Sequence, residues 1–72
     1  MSKRVYRKTA NAMVAHLCLI PKEHRPTTVY ARYRINHTAP SRLYHESIEQ
    51  ATFTKLADAE SNPDFVSFFI YE

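Results

Sequence analysis

No glycine occurs anywhere in this chain. Without it there is no P-loop and no dinucleotide-binding turn, because both need backbone that approaches phosphate unhindered by a Cβ. G-x-S-x-G elbows, RNP1-type signatures and GxxG loops are excluded on the same ground. Cysteine is almost as scarce. The single Cys18 cannot form an internal disulfide, which argues against a stapled secreted scaffold and fits a reducing, cytoplasmic compartment. No apolar stretch approaches the ~20 residues of a membrane span, so no membrane partner is expected. The first 22 residues lack acids, and an apolar run from Ala12 to Ile20 follows the basic start. That start superficially resembles a signal peptide, but His16 interrupts the run and Pro21-Lys22-Glu23 offers no small-residue cleavage site. Removal of such a segment as a mitochondrial presequence leaves about 50 residues, near the limit for an unstapled domain.

What remains is 72 residues with 44% hydrophobic and 24% charged side chains, the profile of one soluble globular domain over 1–72. The net charge of +3 conceals an asymmetry. Residues 1–36 carry Lys3, Arg4, Arg7, Lys8, Lys22, Arg25, Arg32 and Arg34 against Glu23 alone, a net +7. Residues 37–72 carry Arg42 and Lys55 against Glu46, Glu49, Asp58, Glu60, Asp64 and Glu72, a net −4. Either the halves neutralise each other in the fold, or the chain presents a basic surface to an anionic partner.

The pattern predicts a small two-layer α+β domain, in the order α-β-β-α-β or β-β-β-α-β, with one three- or four-stranded, mostly antiparallel sheet packed by a helix. A helix is expected from about Ser47 to Glu60. Ser47 and Gln50 have capping-box spacing, Glu49 suits the first turn, and Asn62-Pro63 ends the run. Ile48, Ala51, Thr52, Leu56 and Ala59 would share its buried face, with Phe53 at the flank. Phe65 to Tyr71 reads as a strand apolar on both sides, with Phe65, Phe69 and Tyr71 on one face and Val66, Phe68 and Ile70 on the other. It belongs inside the sheet or under a partner. Thr27 to Asn36 alternates as a half-buried strand, Val29, Ala31, Tyr33 and Ile35 inward, Tyr30, Arg32 and Arg34 outward. After His37-Thr38-Ala39-Pro40, Ser41 to His45 returns as a short antiparallel partner. Residues 9–20 fit either a helix or a strand. Tyr6, Ala10, Met13, Val14, Leu17 and Ile20 share a helical face, and alanine-rich composition favours the helix. Arg4, Arg7 and Lys8 oppose it, because positive charge is unfavourable at a helix N-terminus.

Few residues suggest chemistry. His16, Cys18, His24, His37 and His45 lack the spacing of a structural zinc site. Cys18 lies in an apolar run, where burial raises a thiol pKa and leaves it inert. The adjacent Glu46 and Glu49 read as a solvated helix start rather than an acid–base pair, and the Asn36-His37-Thr38 sequon lacks a secretion signal. No catalytic residue, metal or cofactor is expected. The constellation with functional content is basic and aromatic: Tyr30, Arg32 and Arg34 in line at about 6.6 Å spacing, with Arg25 upstream and Arg4, Arg7 and Lys8 as candidate neighbours. Tyrosine stacks on a base or fills a partner pocket, and arginine pairs with phosphate or carboxylate. The sequence therefore points to a non-enzymatic adaptor or inhibitor docking on a larger protein or nucleoprotein complex. By analogy of type, such chains occur among the small host-targeting proteins of phages and mobile elements. Direct DNA or RNA binding is the alternative, and the two-faced apolar strand leaves area for a partner or a homodimer.

Overall fold

The structure is a computed structural model that describes residues 3–36 and 41–72. The expected turn His37–Pro40, and with it His37 and the centre of the sequon, lies outside the described residues. The elements run β1 (Arg4–Arg7), α1 (Ala10–Leu19), a single 3₁₀ turn (Lys22–His24), β2 (Val29–Arg34), β3 (Leu43–Ile48), α2 (Phe53–Glu60) and β4 (Phe65–Tyr71). One antiparallel sheet has the order β1-β4-β2-β3. β1 and β2 are thus parallel with β4 between them, and β3 and β4 are parallel with β2 between them. The chain forms two interleaved split β-α-β units. Two-layer α+β architecture is as expected, but β1 appears in neither anticipated element order. No helix among the described residues is long and apolar enough to cross a membrane.

Both helices pack on one face of the sheet. Ala10, Met13 and Leu17 of α1 and Leu56 of α2 meet Val29, Ala31 and Tyr33 of β2 and Phe68 and Ile70 of β4 in the core. β4 runs through the middle of the sheet, where a strand apolar on both faces belongs. Its alternation is broken once. Arg32 pairs with Ser67 and Tyr33 with Phe65, so Val66 is an extra residue in the ladder. The bulge moves Phe65 to the helix-covered side, 4.6 Å from the Phe68 ring centroid, rather than beside Phe69 as strict alternation requires.

α1 resolves the ambiguity of residues 9–20 in favour of the helix, and its charge problem disappears. Arg4 and Arg7 lie in β1, and the helix begins only at Ala10. The Thr9 hydroxyl accepts from Ala12 N at 3.0 Å, and Glu60 Oε1 at the end of α2 accepts from Ala10 N at 2.7 Å. A carboxylate therefore faces the positive end of α1. Tyr6 belongs to β1, not to the helical stripe.

The second helix differs from its expected extent. Ser47 and Ile48 belong to β3, and α2 starts at Phe53 with Thr52 as its N-cap, accepting from Lys55 N at 3.3 Å. The Ser47–Gln50 spacing is not a capping box, because β3 pairs with β2 as far as Ile48 opposite Val29. Sheet pairing outweighs the local cap. Phe53 is 49% exposed, and Leu56 alone of the helix is fully buried. Between β3 and α2 the chain turns through Gln50 at φ 49°, a left-handed position that glycine ordinarily takes and this chain must give to a side chain with a Cβ. Lys55 Nζ donates to the carbonyls of Glu49 at 3.1 Å and Gln50 at 3.4 Å, bracing that turn.

These assignments give two stability predictions. Thr52→Ala should cost about 1 kcal/mol in chemical denaturation, whereas Ser47→Ala should stay within about 0.5 kcal/mol. Gln50→Gly should stabilise by up to about 1 kcal/mol, since relief at positive φ exceeds the added unfolded-state entropy.

Candidate functional site: an aromatic–arginine sheet face

Among the described residues no helix lies over the other face of the sheet. Antiparallel partners share a face, so the register lays out its surface row by row. Arg4 stands beside Tyr71; Tyr6, Phe69, Tyr30 and Ser47 form the next row. Ser67, Arg32 and His45 form the third, and Arg34 beside Leu43 closes the far end. No carboxylate stands in the rows from Arg4 to Arg32, and Asp64 adjoins Arg34, whose N–H donates to its carbonyl at 2.8 Å.

Phe69 is the centre of this face and is 0% exposed although no second layer covers it. Its neighbours do the covering. Tyr30 stacks on it at 4.9 Å and 13° between planes, Tyr6 lies tilted at 5.5 Å, and Tyr71 and His45 present T-shaped contacts at 5.5 Å. The Arg4 guanidinium sits 4.4 Å above the Phe69 centroid and donates to the hydroxyls of Tyr71 at 3.1 Å and Tyr6 at 3.4 Å. The ring quadrupole attracts the cation, and the hydroxyls orient it.

Arg32 lies across the sheet. Its Nε donates to Ser67 Oγ at 3.0 Å, and its guanidinium carbon is 4.7 Å from the Tyr6 ring centroid. Ser67 is the small residue in an otherwise bulky strand. Its size lets an arginine from β2 pass over β4 to reach β1, and its buried hydroxyl is satisfied by doing so. Tyr6 and Tyr71 remain 41% and 40% exposed, so the rings of the cluster reach solvent.

Of the seven residues singled out from sequence, four share this face: Arg4, Tyr30, Arg32 and Arg34. The other three do not. Arg7 is paired with Phe68 and so points to the helix side, where it donates to the Tyr6 carbonyl at 2.6 Å and to His16 Nδ1 at 3.2 Å. Arginine can only donate, which fixes the His16 proton on Nε2, facing Glu72 Oε1 at 2.7 Å. Arg25 donates twice to the Ile20 carbonyl, at 2.9 and 3.3 Å, and ties down the end of α1. Lys8 is exposed in the turn between β1 and α1. In their place stand Tyr6, His45, Ser67, Phe69 and Tyr71. Tyr6 joins through a strand that periodicity missed, His45 lies in the short partner strand that was expected, and the signal for Ser67 was its size within an aromatic run.

Cys18 is exposed on α1 rather than buried, so the expected reason for its inertness does not hold. Among the described residues no group of three His, Cys, Asp or Glu is arranged to hold a metal ion. Two open clefts lie off the face. One is lined by Thr27, Thr28, Glu49, Gln50 and Lys55 where β3 turns into α2, and the other adjoins Leu17, Arg25 and Pro26. Comparison with protein-family models, with curated proteins and with solved structures found no match.

The two faces perturb tyrosine differently. The hydrogen bond from Arg4 holds the Tyr6 hydroxyl below the ordinary tyrosine pKa of 10.0 by favouring the phenolate. Burial, with Glu46 and Tyr44 nearby, pushes Tyr33 above it by favouring the neutral form. In an alkaline titration followed by tyrosinate absorbance, Tyr6→Phe should remove an ionisation that falls below the ordinary tyrosine range and Tyr33→Phe one that falls above it. The folded state keeps the Tyr33 proton after the unfolded chain has lost it. Its share of stability is therefore present below pH 10 and declines as pH rises through the folded value, a decline that Tyr33→Phe should remove.

Proposed function

We propose that this protein is a non-enzymatic binding module that docks its helix-free sheet face on a larger protein or nucleoprotein complex. It acts there as an adaptor or inhibitor of the kind that phages and mobile elements direct at their hosts. The observation that carries this reading is the composition of the face. Arg4, Arg32 and Arg34 share it with Tyr6, Tyr30 and Tyr71, and the rows from Arg4 to Arg32 hold no carboxylate. Tyrosine and arginine are the residues that dominate recognition surfaces, since each combines flat contact area with donors held in fixed positions.

Two polar side chains of the sheet and its covering helix are already committed to other contacts. Ser67 Oγ is occupied in accepting from Arg32, and His16 is held between Arg7 and Glu72 on the opposite side of the sheet. They are not paired as nucleophile and base. The exposed free thiol of Cys18 fits a reducing compartment, in keeping with a cytoplasmic site of action.

Reversal of charge on the face tests this. Immobilised protein should retain a specific partner from the native host. Arg32→Glu with Arg34→Glu should lower that retention at least ten-fold while far-UV circular dichroism and melting temperature stay close to wild type. Arg32 also supports Ser67 and Tyr6, so Arg34→Glu alone serves as the variant with no fold-bearing side-chain contact to lose. Capture that is undiminished in both variants would show the face to be an ordinary solvated surface.

A further inference from the structure

We infer that the ligand taken directly by this face is single-stranded nucleic acid, with bases stacked on the exposed tyrosine and arginine planes and phosphates held by arginine. The inference deepens the docking role proposed above and rests on it.

Three observations favour a nucleic-acid strand over an acidic protein surface. The first is the pairing of flat groups with cations, Arg4 over Phe69 and Tyr71 and Arg32 over Tyr6. Tyr6 and Tyr71 keep 41% and 40% of their surface in solvent, and the Arg4 guanidinium is locked between their hydroxyls over Phe69. A base has a π-face for each such plane. A carboxylate has none and would use only the charge.

The second observation concerns donors. Arginine has five N–H groups. Arg4 commits one from each terminal nitrogen to a tyrosine hydroxyl, and Arg32 commits its Nε to Ser67. Both terminal nitrogens of Arg32 are therefore free of that bond, and the guanidinium is held between Ser67 and the Tyr6 ring. Donors already oriented by the protein lose little entropy on meeting a phosphate.

The third is the distribution of acids. Glu60 faces the start of α1, Glu72 meets His16 at the helix side, and Glu46, opposite Ala31, projects from the same side. Asp64 borders the far end, where its carbonyl accepts from Arg34 N at 2.8 Å, and a polyanion laid across the open face from Arg4 to Arg32 meets no carboxylate in its rows. Four strands at about 4.8 Å give a platform about 14 Å wide. That area suits two or three stacked nucleotides, the number such a four-stranded surface holds.

The roles are specific. Tyr71 and Tyr6 stack bases, with Arg4 holding both rings in place. Arg32 and Arg34 contact successive phosphates, and His45, exposed beside Tyr30, borders the track. Duplex is a poor ligand, because its bases are not available to the rings.

The test is fluorescence anisotropy with the whole protein and labelled eight-nucleotide single strands of DNA and RNA. The controls are a hairpin duplex and an abasic phosphodiester strand of equal length. Single strands should bind at 50 mM salt. Affinity should fall about seven-fold between 50 and 200 mM, as expected for about two phosphates on a single strand. The abasic strand should bind at least ten-fold more weakly, and this arm needs no variant to fold. Tyr71→Leu should weaken binding about ten-fold, Arg34→Gln should flatten the salt dependence, and Lys8→Gln should change neither appreciably.

Absence of binding to any strand at 50 mM salt overturns the inference. So does binding that is equal for duplex and abasic strands, which would be charge attraction without stacking. If oligonucleotides fail while a nuclease-treated host partner is still captured and lost on Arg34→Glu, the face reads protein carboxylates. The docking role then stands without this ligand. If capture and oligonucleotide binding both fail, both readings fall.

Discussion

A strand that is apolar on both faces, in a chain with helices enough for only one layer, obliges the sheet to cover its own second side. β4 is that strand. Phe68 and Ile70 go under the helices, but Phe69 points the other way and is nevertheless fully buried. No backbone layer does this; rings and guanidinium groups from all four strands do. Tyr6 comes from β1, Tyr30 from β2, His45 from β3 and Tyr71 from β4 itself, and Arg4 closes over the top. Removing so large an aromatic group from water contributes about 2–3 kcal/mol, a substantial share of what so small a domain can hold. The arrangement has a chemical consequence. Whatever covers Phe69 must be flat on its lower side and tolerate water on its upper side, which selects tyrosine and arginine.

The same constraint explains the charge. The basic and acidic halves of the chain interleave in the fold, since β4 from the acidic half lies between β1 and β2 from the basic half. Sequence asymmetry therefore does not become a basic end and an acidic end. It becomes a difference between faces. Arginines at alternate positions of β1 and β2 reach the open side, and carboxylates such as Glu60 and Glu72 are spent on Ala10 and His16. Arg7 shows how narrow the distinction is. One residue past Tyr6, it falls on the helix side and serves the fold.

Much of this was legible beforehand because the period of a strand is short and strict. The alternation of Val29, Ala31 and Tyr33 with Tyr30, Arg32 and Arg34 assigned β2 and its outward face, and the aromatic density of Phe65 to Tyr71 assigned β4 its central place. Where local signals competed, the sequence misled. Ser47 and Gln50 have the spacing of a cap, yet ladder bonds to β2 extend to Ile48, and the helix waits for Thr52. Four residues of β1 are too few for a periodicity, and their arginines read as an obstacle to a helix rather than as a strand. A one-residue bulge at Val66 left no trace in composition but changed the face of Phe65.

The absent glycine marks the division between the two levels. By itself the sequence determined that phosphate loops and tight glycine turns do not exist here. It also determined a small two-layer α+β domain with one sheet, and a strand whose outward face carries Tyr30, Arg32 and Arg34. It could not show that a glycine-type turn is made all the same, by Gln50 at positive φ with Lys55 bracing its carbonyls. Nor could it show that Arg4 and Tyr71, at opposite ends of the chain, meet in one register. Those outcomes depend on contacts between distant segments, and only the paired sheet decides them.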